Sequence, residues 1–172
     1  MIIAKVGDFN LQNYDAGEIT ITSSNIFIHD EYLKFGEWTG NDACLINIGK
    51  ITTTGQSMYE PACISNDMPA DGAMCYVSGW GSVKAASENL QNLHASPVNY
   101  FPNNYCAGLG YGNINQDSEF CAGVPDSMFD GTKDICNGDV GSPLVCDMGG
   151  KPVLSGLLSW GTSGDTSIRD FK

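Results

Sequence analysis

The sequence has few basic residues and almost no histidine. Its 172 residues include eight lysines and arginines, 20 aspartates and glutamates and two histidines, which gives a formal net charge of −12 at pH 7. This charge repels nucleic acid phosphates and anionic membrane surfaces, so we expect neither as a partner. Cationic partners are favoured electrostatically, although the same acidity also serves to keep a domain soluble.

Long hydrophobic runs, a secretory signal and closely spaced cysteine pairs are also missing. No apolar stretch reaches the length of a membrane span, and residues 1–8 lack the basic and apolar regions of a signal peptide. None of the seven cysteines lies in a C-x-x-C pair, which argues against zinc ribbons and thioredoxin-like redox sites. The high number of cysteines favours an oxidising compartment, and we therefore expect a secreted protein. Because no signal peptide is present, we expect its native N-terminus to lie upstream of this chain.

The sequence does contain a pattern of short strands. Segments rich in Val, Ile, Thr and aromatic residues alternate with turn residues, and there are 21 glycines. No window of helical length carries an apolar stripe, so an all-β barrel or sandwich is predicted. Segment 59–73, which has little periodicity, is the predicted connector between two β units. The predicted strands are residues 18–21, 25–29, 43–48, 74–78, 93–98, 143–146 and 153–160.

The most informative segment is 134–146, which reads Asp-Ile-Cys-Asn-Gly-Asp-Val-Gly-Ser-Pro-Leu-Val-Cys. It resembles the nucleophile loop of the chymotrypsin/trypsin family (peptidase S1), which reads Asp-Ser-Cys-Gln-Gly-Asp-Ser-Gly-Gly-Pro-Leu-Val-Cys. Each further motif is weak alone, but the ordered set spans nearly the whole chain. These motifs are Asn-Asp-Ala-Cys-Leu-Ile at 41–46, Tyr-Val-Ser-Gly-Trp-Gly at 76–81, Phe-Cys-Ala-Gly at 120–123 and Ser-Trp-Gly at 159–161.

The resemblance implies a trypsin-like fold, a double six-stranded antiparallel β-barrel that is incomplete at both ends here. Residues 1–58 would be the remnant of the N-terminal barrel and 59–73 the inter-barrel connector. Residues 74–172 would be the C-terminal barrel without its last strands and helix. Together these parts would form one peptidase S1 domain, which we expect to be a monomer.

The resemblance also assigns the catalytic positions. In the family a serine attacks the substrate, a histidine takes its proton and an aspartate orients the histidine. Asp42 matches the orienting aspartate, Gly138 matches an oxyanion-hole position, and Val140 replaces the nucleophile. An isopropyl group has no lone pair to attack a carbonyl and no proton to transfer, so acyl-enzyme formation at Val140 is excluded.

Other candidates for the missing groups do not fit the family pattern. Ser142 lies two residues beyond Val140, where the family has a glycine, and is not expected to reach a bound carbonyl. His29 and His94 do not lie in the family's histidine motif, whose expected position is upstream of Met1.

More of the family's substrate-binding positions than of its catalytic positions carry the family's residue in this sequence. Asp134 matches the aspartate at the floor of the family's specificity pocket, which selects Arg or Lys, with an exposed turn residue as the alternative interpretation. Ile135 replaces a serine there and narrows the pocket. Ser159, Trp160 and Gly161 match the strand that pairs with the substrate backbone.

Two further features follow from the resemblance. Asp139 matches the aspartate that pairs with a new N-terminal amine after activation, so we expect its buried carboxylate to be unpaired in this chain. Asp8, Asp15 and Glu18 resemble the calcium loop of trypsins, and hard oxygen ligands suit Ca²⁺, with ordinary solvated acids as the alternative. No cofactor is required by the resemblance.

The family pattern also predicts the state of the cysteines. It would join Cys75 to Cys146 and Cys106 to Cys121. Cys44 replaces a small core residue, so a buried thiol is expected there.

Three functions remain open from the sequence. Val140 favours a catalytically inactive homologue that acts as a binding or decoy module for peptides or proteins, including those with basic side chains. A serine endopeptidase that cleaves after Arg or Lys is what the family would imply. A gene fragment without a function of its own is the third.

Overall fold

The computed structural model describes residues 1–35, 38–51, 59–82, 90–108, 115, 117–124, 138–161 and 168–171. The chain divides into two compact units, Met1–Pro61 and Ala62–Lys172. The boundary falls inside the predicted connector 59–73, while the domain limits stay a prediction.

Strands in the first unit pair two by two. In chain order they are β1 (Ile2–Val6), β2 (Ile19–Ser23), β3 (Ile26–Ile28), β4 (Leu33–Phe35), β5 (Trp38–Gly40) and β6 (Cys44–Ile46). β1 pairs with β2, β3 with β6 and β4 with β5, each antiparallel. β1 and β2 are rich in isoleucine, valine and threonine, whose branched side chains favour extended backbone, and their residues alternate between more and less exposed positions.

The second unit contains a closed ring of strands. Its elements are β7 (Cys63–Ile64), β8 (Met74–Gly79), β9 (His94–Phe101), α1 (Asn103–Gly108), β10 (Phe120–Gly123), β11 (Pro143–Asp147), β12 (Pro152–Gly161) and β13 (Ile168–Phe171). Antiparallel pairing runs from β8 through β9, β10, β13, β12 and β11 back to β8. β7 adds to β12 in parallel. The predicted all-β class is therefore confirmed.

The core of the second unit lies inside this ring. Successive side chains of a strand point to opposite faces of the sheet, so alternate residues of the ring strands face this core. The rings of Tyr100 and Phe120 are tilted against each other with their centroids 5.4 Å apart. The largest fully buried side chain is Leu144 in β11. Around it lie Cys75, Val77, Val98, Ala122, Val124, Cys146 and Leu158.

Two disulfides join described residues of the second unit, and both are the pairs that the resemblance implies. Cys75 in β8 is bonded to Cys146 in β11, where the two residues are register partners. Cys106 in α1 is bonded to Cys121 in β10. All four cysteines are fully buried, and buried disulfides of this kind fit an extracellular protein.

The expectation of a buried Cys44 thiol is wrong. Cys44 is free and exposed in β6, and Cys63 in β7 is likewise free and exposed. The ribbon of β3 and β6 is only two strands wide and three residues long, so its faces stay open. Its neighbours Leu45 and Phe27 are accordingly 74% and 60% exposed.

Helical structure is sparse in the described residues. Their helix, α1, has six residues, and no helix among them has the length and apolar character that crossing a bilayer requires.

Replacing Cys75 and Cys146 together by alanine should lower the free energy of unfolding by about 2–5 kcal/mol, because the bridge closes a loop between strands 71 residues apart. Denaturant unfolding without reductant measures this loss. Cys63→Ala is the matched control, since its thiol is free and exposed, and should change the stability by less than about 0.5 kcal/mol. Equal losses in the two variants would contradict a structural role for the bridge.

Candidate functional site

The centre of the candidate site is the turn between Gly138 and Gly141. Both glycines have left-handed backbone conformations, with φ of 95° and 91°, which side chains other than glycine rarely adopt. Val140 lies between them and is 68% exposed. The turn therefore presents to solvent the one side chain that replaces the family's nucleophile.

Backbone hydrogen bonds fasten this turn to β12. The Ser142 N–H donates to the Asp139 carbonyl at 2.8 Å, which closes the turn itself. The Gly141 N–H donates to the Leu158 carbonyl at 2.7 Å, and the Leu158 N–H donates to the Ser142 carbonyl at 2.8 Å. The turn is thus held against the strand that carries Ser159 and Trp160.

Ser142 directs its hydroxyl toward β8. An added Cβ on Gly79 would lie only 2.8 Å from Ser142 Oγ, so the hydroxyl sits against the backbone at the end of that strand. Val140, by contrast, is exposed at the tip of its turn. That Ser142 does not act as a nucleophile stays a prediction.

The Asp139 carboxylate is buried against the Gly-Trp-Gly segment that follows β8. The Gly81 N–H donates to Asp139 Oδ1 at 2.9 Å. A methyl group added to either Gly79 or Gly81 would collide with the carboxylate. The expectation of an unpaired Asp139 is therefore wrong, because two glycines let the backbone approach closely enough to supply a donor. The Gly-Trp-Gly motif is the sequence signal of this close approach.

The C-terminal end of β12 forms the next part of the site. Ser159 is buried and Trp160 is half-buried. On one side this part of β12 pairs with β13, with Trp160 opposite Asp170 and Gly161 opposite Arg169. Asp134, the predicted pocket floor, lies outside the described residues.

Asp42 lies in the first unit, in the turn before β6. Asn41 there has a positive φ of 53°, and its carbonyl accepts a hydrogen bond from the Ala43 N–H at 2.8 Å. Nearby, His29 Nδ1 accepts a hydrogen bond from the Glu31 N–H at 3.1 Å, so one imidazole nitrogen is engaged in its own local turn.

A separate cluster joins the three predicted calcium ligands. Carboxylate oxygens of Asp8, Asp15 and Glu18 lie within 4.8 Å of one another. The cluster also contains Lys5, which the sequence analysis missed: its Nζ lies 3.0 Å from Glu18 Oε1 and 3.3 Å from Asp8 Oδ2. These two carboxylates raise the pKa of the Lys5 ammonium.

The remaining carboxylate oxygens of the cluster differ in their hydrogen-bond partners. Asp15 Oδ2 accepts hydrogen bonds from the Phe9 and Asn10 N–H groups at 2.6 and 2.8 Å, and these bonds lower the pKa of Asp15. Asp8 Oδ1 is buried and has no hydrogen-bond partner among the described residues. A buried orphan carboxylate oxygen beside two further carboxylates fits the chemistry of a hard divalent cation.

Gly81→Ala should lower the free energy of unfolding by about 1–3 kcal/mol, because its methyl group has no room beside the Asp139 carboxylate. A double-mutant cycle with Asp139→Ala isolates this contact. The cost of Gly81→Ala should shrink when the carboxylate is absent. Additive costs in chemical denaturation would show that the two residues do not interact.

Comparisons with known proteins agree with this geometry. The chain matches the family model described as Trypsin over residues 2–171. It is 32% identical to trypsin-1 of Gadus morhua over 157 residues, or 91% of this chain and 60% of that protein. It is 32% identical to kallikrein-8 of Mus musculus over 160 residues, or 92% of this chain and 57% of that protein.

A solved structure shows the same relationship. Neuropsin, a serine protease expressed in the limbic system of mouse brain, superposes with a TM-score of 0.81 at 27% identity, covering 98% of this chain and 72% of that one. The chain spans about 60% of the length of the cod trypsin that it matches. The family match over nearly all of its residues shows that this chain belongs to the trypsin family.

Proposed function

We propose that this trypsin-family domain binds extended peptide or protein segments outside the cell without cleaving them. The observation that carries the proposal is Val140, whose hydrocarbon side chain stands at the exposed tip of the nucleophile turn. Peptide cleavage by this family needs an oxygen there that can attack and a base that can take its proton. The Val140 side chain has no such oxygen.

Retention of the turn itself supports a binding role. Gly138 and Gly141 have left-handed conformations, and the buried Asp139 carboxylate accepts a hydrogen bond from the Gly81 N–H. An ordered turn of this kind could surround a bound carbonyl group although it lacks the reactive group. A binding protein needs this backbone, and it does not need the nucleophile.

Two features favour extended ligands with a basic side chain. Ser159, Trp160 and Gly161 end a long strand next to the nucleophile turn, and such strands bind peptides by main-chain pairing. The net charge of −12 attracts cationic segments, and Asp134 would supply a carboxylate for Arg or Lys. A secreted location follows from the same proposal, because the two disulfides need an oxidising compartment.

We further propose a calcium site at Asp8, Asp15 and Glu18. The support is the closeness of the three carboxylates and the buried, unpartnered Asp8 Oδ1. A bound Ca²⁺ would supply positive charge and order this loop, and it would take no part in chemistry at Val140.

A fluorophosphonate probe should not label this chain, whereas active trypsin labelled in parallel is the positive control. Loss of the nucleophile alone lowers activity by on the order of a millionfold in proteases of this mechanism. Val140→Ser should also show no amidase activity on an arginyl substrate, because neither His29 nor His94 lies in the family's histidine motif. Labelling of any serine, read by mass spectrometry of tryptic peptides, would favour the endopeptidase alternative.

An extended peptide with one arginine should bind to the chain and be recovered intact. Isothermal titration calorimetry gives the affinity, and mass spectrometry of the recovered peptide shows whether it was cut. Replacing the arginine by norleucine should weaken binding on the order of tenfold, the size of one lost ionic contact.

Two variants, each of which removes one negative charge, test where the arginine binds. Asp134→Asn should abolish the preference for arginine, whereas Asp147→Asn, at an exposed position in β11, should retain it. Equal binding of the two peptides to the unmodified chain would remove the support for a basic ligand, and a cleaved peptide would contradict the binding proposal itself.

A further inference from the structure

Lys5 reaches from the surface into the acidic loop, which we define as residues 8–18. It lies in β1 opposite Thr20 of β2, and its side chain is 45% exposed. The two carboxylates that it contacts are buried, with side-chain exposures of 3% for Asp8 and 4% for Glu18. A flexible stem thus delivers a positive charge to carboxylates that water scarcely reaches.

The ammonium contacts two of the three carboxylates that would hold a metal ion. Burial of carboxylates without a counter-charge is unfavourable, and three of them within 4.8 Å also repel one another. The Lys5 ammonium binds Glu18 Oε1 and Asp8 Oδ2, while the Phe9 and Asn10 N–H groups bind Asp15 Oδ2. The loop therefore has an internal source of compensation for part of its charge.

A divalent cation at the same oxygens would lie beside the ammonium. Like charges at such a distance repel, so the cation would bind only as Lys5 moves away. The exposure of the Lys5 side chain gives it a path into solvent. The two cations are thus alternatives for one set of ligands.

We propose that Lys5 is the resident cation of the acidic loop: its ammonium occupies the metal position, orders the loop without a metal and weakens the binding of divalent cations. This inference rests on the calcium part of the proposed function, and the experiment below separates the two.

Calcium binding to the full chain is measured by isothermal titration calorimetry for the unmodified protein, Lys5→Met and Lys50→Met. Lys50 is the matched control because it is an exposed lysine of the same unit with no ion pair among the described residues. Lys5→Met should bind Ca²⁺ more tightly than the unmodified chain by on the order of tenfold or more, as removal of one adjacent positive charge implies. Lys50→Met should leave the affinity unchanged.

The outcomes distinguish the two proposals. If Lys5→Met binds Ca²⁺ and the unmodified chain does not, the Lys5 proposal stands and calcium binding by the natural chain is excluded. If both bind equally well, calcium binding stands and the Lys5 proposal is overturned. If neither binds, both are overturned.

A measurement on the unmodified chain keeps the test valid if Lys5→Met fails to fold. The rate at which an amine-reactive ester acylates Lys5 is followed by mass spectrometry, with Lys50 as the internal reference. Titration with Ca²⁺ to saturation should raise the Lys5 rate several-fold and leave the Lys50 rate unchanged, because the metal releases the ammonium into solvent. A Lys5 rate that is as fast as that of Lys50 without metal, or that does not rise while calcium binds, would overturn the proposal.

Discussion

The hydrogen bond between the Asp139 carboxylate and the Gly81 N–H holds the nucleophile turn in position within the second unit. It ties the nucleophile turn to the end of β8, and the backbone bonds of Gly141 and Ser142 tie the same turn to β12. The turn is thus fixed at both ends by groups other than residue 140. None of these hydrogen bonds involves the Val140 side chain, so the turn does not depend on the identity of that side chain.

Most of the second unit could be predicted from the sequence. Strands β8, β9, β11 and β12 overlap the predicted segments because their branched and aromatic residues alternate between turn residues. β13 and β7 could not be predicted in this way, since one has only four residues and the other two, and their extended form depends on pairing with β12. β10 lies in a recognised motif, yet its four residues are all buried and show no alternation.

The sequence pointed to residues that the structure brings together, but it did not reveal their partners. The spacing of Asp8, Asp15 and Glu18 fitted a known loop, and the structure brings the three together. Lys5 lies in β1, before that loop. Its ammonium comes close to Glu18 because β1 pairs with β2, and a linear motif carries no information about strand pairing. The partner of Asp139 is likewise a backbone group 58 residues away, and backbone donors leave no signature in side-chain patterns.

Closure of the ring gives each of its six strands a neighbour on both sides among the described residues. The proposed peptide would add at the C-terminal end of β12, and β7 extends the sheet beside the N-terminal part of β12. β7 pairs over only Cys63 and Ile64. So short an edge offers few main-chain groups for β-aggregation, even though Ile64 is largely exposed. For the proposed binding of extended peptides, so short an edge would help to keep the domain dispersed.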